Sequence, residues 1–141
     1  MALSVYTSHL EEVYDAGLDW VANTINIVIM TNAGYTFSAA HDFRNDLGTE
    51  VSGTGYTANG LALDNKTLST NNPALASSDD EVIAQNGAGF TNGRKYAFSK
   101  ILGGASSADP LLWYGAAAGD FGNVAGALTL DVPTNLISLS A

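Results

Sequence analysis

Apolar and polar residues alternate along most of this chain in short runs interrupted by glycine and asparagine. The strongest run is Thr24 to Thr31, where Ile25, Ile27 and Ile29 share one face and Asn26, Val28 and Met30 the other. β-Branched residues on both faces predict a strand covered on both sides, near the middle of a sheet. Gly93 to Leu102 predicts a second long strand, with Tyr96 and Phe98 pointing one way and Ala97 and Ile101 the other. Pro110 opens a third, Leu111 to Gly115, containing Trp113 and Tyr114. Leu128, Leu130 and Val132 alternate in a fourth, Ala127 to Val132. Shorter extended pieces are predicted at Tyr35 to Phe37, Glu81 to Gln85 and Asn135 to Leu139.

Turn chemistry separates these runs at Asn32 to Gly34, Asn86-Gly87 and Thr91 to Gly93. A loop or single helical turn is predicted at His41 to Gly48, and loops at Asn71 to Asp80, Gly103 to Asp109 and Ala116 to Asn123. The N-terminal end has a different period. Leu3, Tyr6, Leu10, Val13 and Tyr14 recur three or four residues apart, which predicts a helix over Ser4 to Ala16. Ser4 or Ser8 is placed to cap its start and Gly17 to end it. Val5, Tyr6 and Thr7 also favour a strand, so the alternative is an extended arm laid over a neighbouring subunit.

The stretch Asp46 to Leu63 joins the two halves of the chain. Glycines at 53, 55 and 60 punctuate it, and Leu61 and Leu63 alternate just after. Such glycines supply backbone shapes closed to other residues, or permit close approach of another backbone. A bent, solvent-facing connection is predicted, becoming a buried strand at Gly60 and turning at Asp64-Asn65. About seven or eight short strands with Gly/Asn turns predict an all-β, single-domain antiparallel β-sandwich, jelly-roll- or immunoglobulin-like. Residues 1–16 form its helix or arm and 17–141 the sandwich.

Composition narrows the possible roles. The 141 residues suit one core, and charged residues make up only 13%, about half the usual share. So few charges suit a subunit packed within an assembly. Fourteen acidic against five basic residues leave a net charge of −9, which repels phosphate backbones, so no direct nucleic-acid partner is expected. There is no cysteine, and hence no disulfide. The opening Met-Ala-Leu-Ser-Val-Tyr lacks a basic region followed by an apolar run, so no signal peptide is expected. Ile25 to Met30, the longest apolar run, is too short to span a bilayer, so no membrane partner is expected.

The residues that could carry chemistry do not assemble into a motif. Zinc needs three or four ligands, whereas the chain has two distant histidines, His9 and His41, and no cysteine. His41 beside Asp42 reads as a loop histidine. Ser78 to Glu81 offers oxygen ligands to a hard cation, but without the EF-hand spacing, and a solvated acidic loop is the simpler reading. Gly53-Thr54-Gly55 is followed by a tyrosine and a strand with no lysine nearby, unlike a dinucleotide or phosphate loop. No serine lies in a nucleophile elbow. Glu11, Glu12, Asp15 and Asp19 read as a solvated helix face, not a glycosidase pair. No catalytic residue, metal ligand or cofactor is therefore expected. Trp20, Trp113, Tyr96 and Phe98 are expected in the core. Tyr6, Tyr14 and Tyr35 are expected either at partner contacts or over the edge of the domain's own core.

The phrase Glu50-Val-Ser-Gly-Thr-Gly-Tyr-Thr-Ala-Asn-Gly-Leu-Ala-Leu resembles a mid-chain stretch of small structural proteins of tailed bacteriophages. Leu18-Asp19-Trp20, the strand Ile25 to Met30 and His41-Asp42-Phe43 resemble that family's order upstream. Arg94-Lys95-Tyr96-Ala97 and Pro110 to Tyr114 resemble its strands downstream, so the likeness spans roughly residues 17 to 132. The chain departs from the pattern in the glycine- and alanine-rich stretch after Tyr114, and in Leu111-Leu112-Trp113, where an Ile-Gly pair is usual.

The resemblance implies a non-enzymatic virion protein, made in the host cytoplasm and placed on the capsid exterior. As a decoration or cement protein it would bind the shell of major capsid protein where capsomers meet. It would do so as a homo-oligomer, a trimer at three-fold positions. A tail, neck or fibre component, including a glycan-binding receptor module, is the alternative, and a wall-degrading hydrolase is a third reading without a residue set behind it. Two contact surfaces are expected: Val5, Tyr6, Leu10 and Tyr14 in the N-terminal segment, and Val51, Gly53, Gly55 and Tyr56 in the central stretch.

Overall fold

The two strands with the clearest alternation lie side by side at the centre of the molecule. The computed structural model describes residues 3–69, 74–132 and 138–139. Its strands are β1 (Ser4–Val5), β2 (Thr24–Thr31), β3 (Leu61–Ala62), β4 (Thr67–Ser69), β5 (Ala74–Ser77), β6 (Glu81–Ile83), β7 (Gly93–Ile101), β8 (Leu111–Phe121), β9 (Leu128–Leu130) and β10 (Ser138–Leu139). One short helix, α1 (Thr7–Glu11), follows β1. The main sheet runs β1-β8-β7-β2-β3, beside a three-stranded sheet β10-β5-β4 and a ribbon β6-β9. All pairings are antiparallel, and the architecture is all-β and sandwich-like.

β2 is buried on both faces, as its composition requires, and pairs with β7 from Thr24↔Ile101 to Met30↔Lys95. The largest core cluster gathers Trp20, Ile25, Ile27, Tyr96, Phe98, Leu112 and Trp113 with Leu63, Ala76 and Val132. The expected core aromatics are all in it. Across the sheet, Tyr6, Met30, Tyr35, Ala97 and Leu111 form a second cluster. Ile29, Val51, Ile83 and Phe90 form a third.

Two irregularities in the β7–β8 ladder shape everything beside it. Phe98 pairs with Trp113 and Ser99 with Leu111, leaving Leu112 as the extra residue of a bulge. That is how adjacent Leu112 and Trp113 enter the same core cluster. Further along, Lys95 pairs with Ala116 and Gly93 with Phe121, so Ala117 to Asp120 face the single Arg94. Gly115 sits between the irregularities under the Tyr96 ring. A Cβ there would lie 2.3 Å from that ring.

Several expectations are corrected. Ala116 to Asn123 is largely not a loop, because β8 runs through to Phe121, held by its pairing with β7. Asn71 to Asp80 is not one exposed loop either: Ala74–Ser77 forms β5 between β4 and β10, while residues 71–73 lie outside the described residues. Tyr35 to Phe37 joins no strand among the described residues. Of Asn135 to Leu139, only Ser138–Leu139 falls within the described residues, and it pairs with β5. The predicted helix Ser4 to Ala16 divides into β1, α1 and a wider π-type turn, Glu12–Ala16. Gly17 ends it in the left-handed conformation, φ 69°, as its position suggested. Neither Ser4 nor Ser8 caps it. Tyr6 holds the N-cap position without a side-chain bond, and Ser8 lies inside the helix.

Candidate interaction surface

The N-terminal segment is anchored to the main sheet at the β8 bulge. The Tyr6 amide donates to Leu112 O at 3.2 Å, and Ser8 Oγ donates to Leu111 O at 2.6 Å. Thr7 donates through both its amide and its hydroxyl to Ala39 O. Tyr6 is wholly buried, its hydroxyl 3.0 Å from that of Tyr35, which lies 2.7 Å from His41 Nδ1. Burial, and then the bond with Tyr35, pushes the Tyr6 phenol far above its usual range. Tyr35 is raised as well, by burial.

One turn on, Glu12 Oε2 accepts from the Lys100 ammonium at 2.6 Å, both side chains nearly buried. His9 packs on Trp113 with ring centroids 4.6 Å apart, and its Nδ1 is buried without a partner. Burial holds the His9 pKa below that of a free imidazole, with the Glu12 charge pulling the other way. A buried ion pair docks the segment firmly because separating the partners strands a charge in the interior.

With the inward face so occupied, the outward side carries a row of apolar side chains beside the exposed Glu11 and Asp15. Tyr14 is 82% exposed, and Val5, Leu10 and Val13 are about half exposed. Val13 also lines a groove of about 500 Å³ floored by Trp20, Trp113 and Ala76 and edged by Leu18 and Leu68. The two indoles meet edge to face at 5.6 Å, and Trp20 Nε1 donates to Ser77 O, which ties the floor to β5. The spacing of Leu10 and Tyr14 signalled this surface. The groove was not legible, because its walls come from four separate parts of the chain.

The central stretch is solvent-facing over most of Ser52 to Asn59, as expected, and its glycines lie where other parts of the chain come close. Val51 is buried in the third core cluster. Tyr56 is half-buried: its hydroxyl accepts the Ile29 amide and donates to Glu50 Oε2, at 3.0 and 2.9 Å. Burial raises its pKa. Gly53 lies against the backbone of Gly89, where a Cβ would come within 2.5 Å, and Gly55 (φ 95°) lies against Asn123 and Ile83. Asn123, wholly buried, donates to Thr54 O and Ala84 O and accepts the Phe90 amide, each at about 3 Å. Of the eight expected contact residues, Val5, Leu10 and Tyr14 thus face outward. Tyr6 and Val51 belong to the core, Gly53 and Gly55 border a clasp centred on Asn123 with Gly55 itself exposed, and Tyr56 is half-buried. The two segments pack on different core clusters and do not make one surface.

The remaining polar groups mostly have structural partners. Asp80 accepts the Val132 amide, Asp79 accepts from Asn65 Nδ2, and Glu81 accepts the Asp64 amide. Burial, with Asp64 and Asp79 nearby, raises the Glu81 pKa. Arg44 clamps Asp109 through Nε and Nη2 at 2.9 and 2.8 Å. Among the described residues no three of His, Asp and Glu converge as metal ligands would. No helix among them is long and apolar enough to cross a membrane. Comparison with protein-family models, curated proteins and solved structures finds no match in any of the three.

Proposed function

We propose that this chain is a non-enzymatic subunit of a bacteriophage virion, a decoration protein that binds the assembled head through its N-terminal segment. The observation that carries the reading is the row of outward apolar side chains, Leu10, Val13 and Tyr14, on a segment whose inner face is pinned by Tyr6 and the Glu12–Lys100 pair. A rigidly held apolar row loses little conformational entropy on binding, which favours an interface. The Trp20–Trp113 groove beside Val13 extends the contact area. The likeness of residues 17 to 132 to small virion proteins supplies the setting. A subunit that binds only the assembled shell stabilises it by mass action, multiplied over symmetric copies.

The test is occupancy on particles. The triple variant Leu10→Ser, Val13→Ser, Tyr14→Ser is expected to fold and to be lost from purified heads. Truncating Ala2 to Ser8 is a poor test, since it removes the buried Tyr6 and Ser8. A copy number matching capsid subunits or capsomer junctions is expected, whereas a few dozen copies would move the protein to the tail. Undiminished occupancy of the triple variant would overturn the proposed surface.

A further inference from the structure

The wide irregularity in the β7–β8 ladder leaves a hollow on the far side of the sheet from Tyr6. Where bulky residues would be needed to fill the space beneath β9, β8 contributes Ala117. The result is a cavity of about 230 Å³ between the main sheet and β9, walled by Ile27, Tyr96, Phe98, Phe121 and Leu128. Protein interiors are ordinarily close-packed, and a void forfeits the dispersion contacts of every atom lining it. Apolar cavities somewhat smaller than this, about 150 Å³, stay dry and take up a benzene-sized molecule. The walls here are largely of that chemistry, and three of them are aromatic.

The polar side-chain groups of the lining are the Tyr96 hydroxyl, Thr129 and Asp131; the last two are exposed, and Asp131 alone is charged. Among the described residues no Lys or Arg lines the cavity. A carboxylate is an acceptor only, so the end of a ligand nearest it must donate, and a cationic donor gains most. We propose that the cavity is a binding site for a ring-sized apolar group bearing an amine, the ring against Tyr96 and Phe98 and the amine at Asp131. Gly115 belongs to the same design, since any side chain there would push the Tyr96 ring out of place. The burial that makes this wall apolar also pushes the Tyr96 phenol up to about 12.

An aromatic group beside an amine can come from a free small molecule or from an aromatic residue next to a lysine in a polypeptide. Titration of the full chain with benzylamine and with a capped Phe-Lys dipeptide, read on the methyl signals of Ala117, Leu128 and Leu130, separates the two. Saturable shifts with either ligand are expected; the tighter of the two names the source. Benzoate should bind more weakly than benzylamine. Asp131→Asn should weaken benzylamine about tenfold and leave toluene unchanged. Ala117→Leu should fill the void, abolish the shifts and raise the melting temperature, with Ala117→Val as a smaller step if leucine does not fold. Absence of saturable shifts in the unmodified chain, their persistence in the filled variants, or benzoate binding as tightly as benzylamine would overturn the assignment.

Discussion

The N-terminal segment and the central stretch contain equal numbers of apolar residues, yet they meet the rest of the molecule in contrary ways. In Leu3 to Ala16 the side chains divide by face. Tyr6, Ser8, His9 and Glu12 go in, while Leu10, Val13 and Tyr14 go out. In Asp46 to Leu63 the backbone makes many of the contacts, beside the buried Val51 and Leu63 side chains. Gly53 lies on Gly89, Gly60 lies on Ile27, and the Asn123 amide ties the stretch to Ala84 and Phe90. Helical spacing leaves a face to spare for a partner. A glycine-bearing loop spends its freedom on fitting its own chain.

Breaking the N-terminal anchor should have the largest effect. Glu12→Ala leaves the Lys100 ammonium buried without its partner and is expected to cost about 3–5 kcal/mol in a denaturant titration. If the loss is under 1 kcal/mol, the segment is not held as described. Next comes the clasp: Asn123→Ala strands the Phe90 amide and two carbonyls, for an expected loss of about 1–3 kcal/mol. That loss should be accompanied by faster amide exchange at Thr54 and Phe90, and little change at Tyr6.

Acid should then separate the two regions. His9 is held neutral in the fold, so the folded chain binds fewer protons than the unfolded one as pH falls. Its contribution is complete above the unfolded value of about 6.5 and is lost progressively below it. The urea midpoint should fall between pH 7.5 and 5.5, and His9→Phe should flatten that part of the slope. The tyrosines act at the other end. Tyr6, Tyr35 and Tyr56 are raised, so their contribution is present below about pH 10 and declines above it. The smallest effect on stability belongs to Tyr14→Ser, within about 0.5 kcal/mol, because the side chain is exposed. Its effect should be on particle binding alone.

What was legible in the chain follows the physics of each element. β2 and β7 were readable because β-branched and aromatic residues alternate over eight or nine positions. The distal half of β8 was not, since Ala-Ala-Ala-Gly has little intrinsic strand preference and becomes a strand only by pairing across Arg94. β5 follows Pro73 in a polar neighbourhood and is defined by β4 and β10, which no local pattern reveals. Tyr6 looked like a contact residue because tyrosine often is one. Its partner Tyr35 lies 29 positions away, and only the fold brings the two hydroxyls together.

All five basic side chains have partners: Arg44 with Asp109, Arg94 with Asp120, Lys100 with Glu12, Lys95 with the carbonyls of Asn32 and Tyr35, and Lys66 with Leu63 O. Reagents that couple through lysine amines will therefore find few ready handles on this molecule, and Lys100 will be slowest to react. A weak cross-linking yield with such reagents would reflect that sequestration and not a lack of neighbours. Carbodiimide activation of the outward carboxylates is the chemistry suited to mapping what this surface touches.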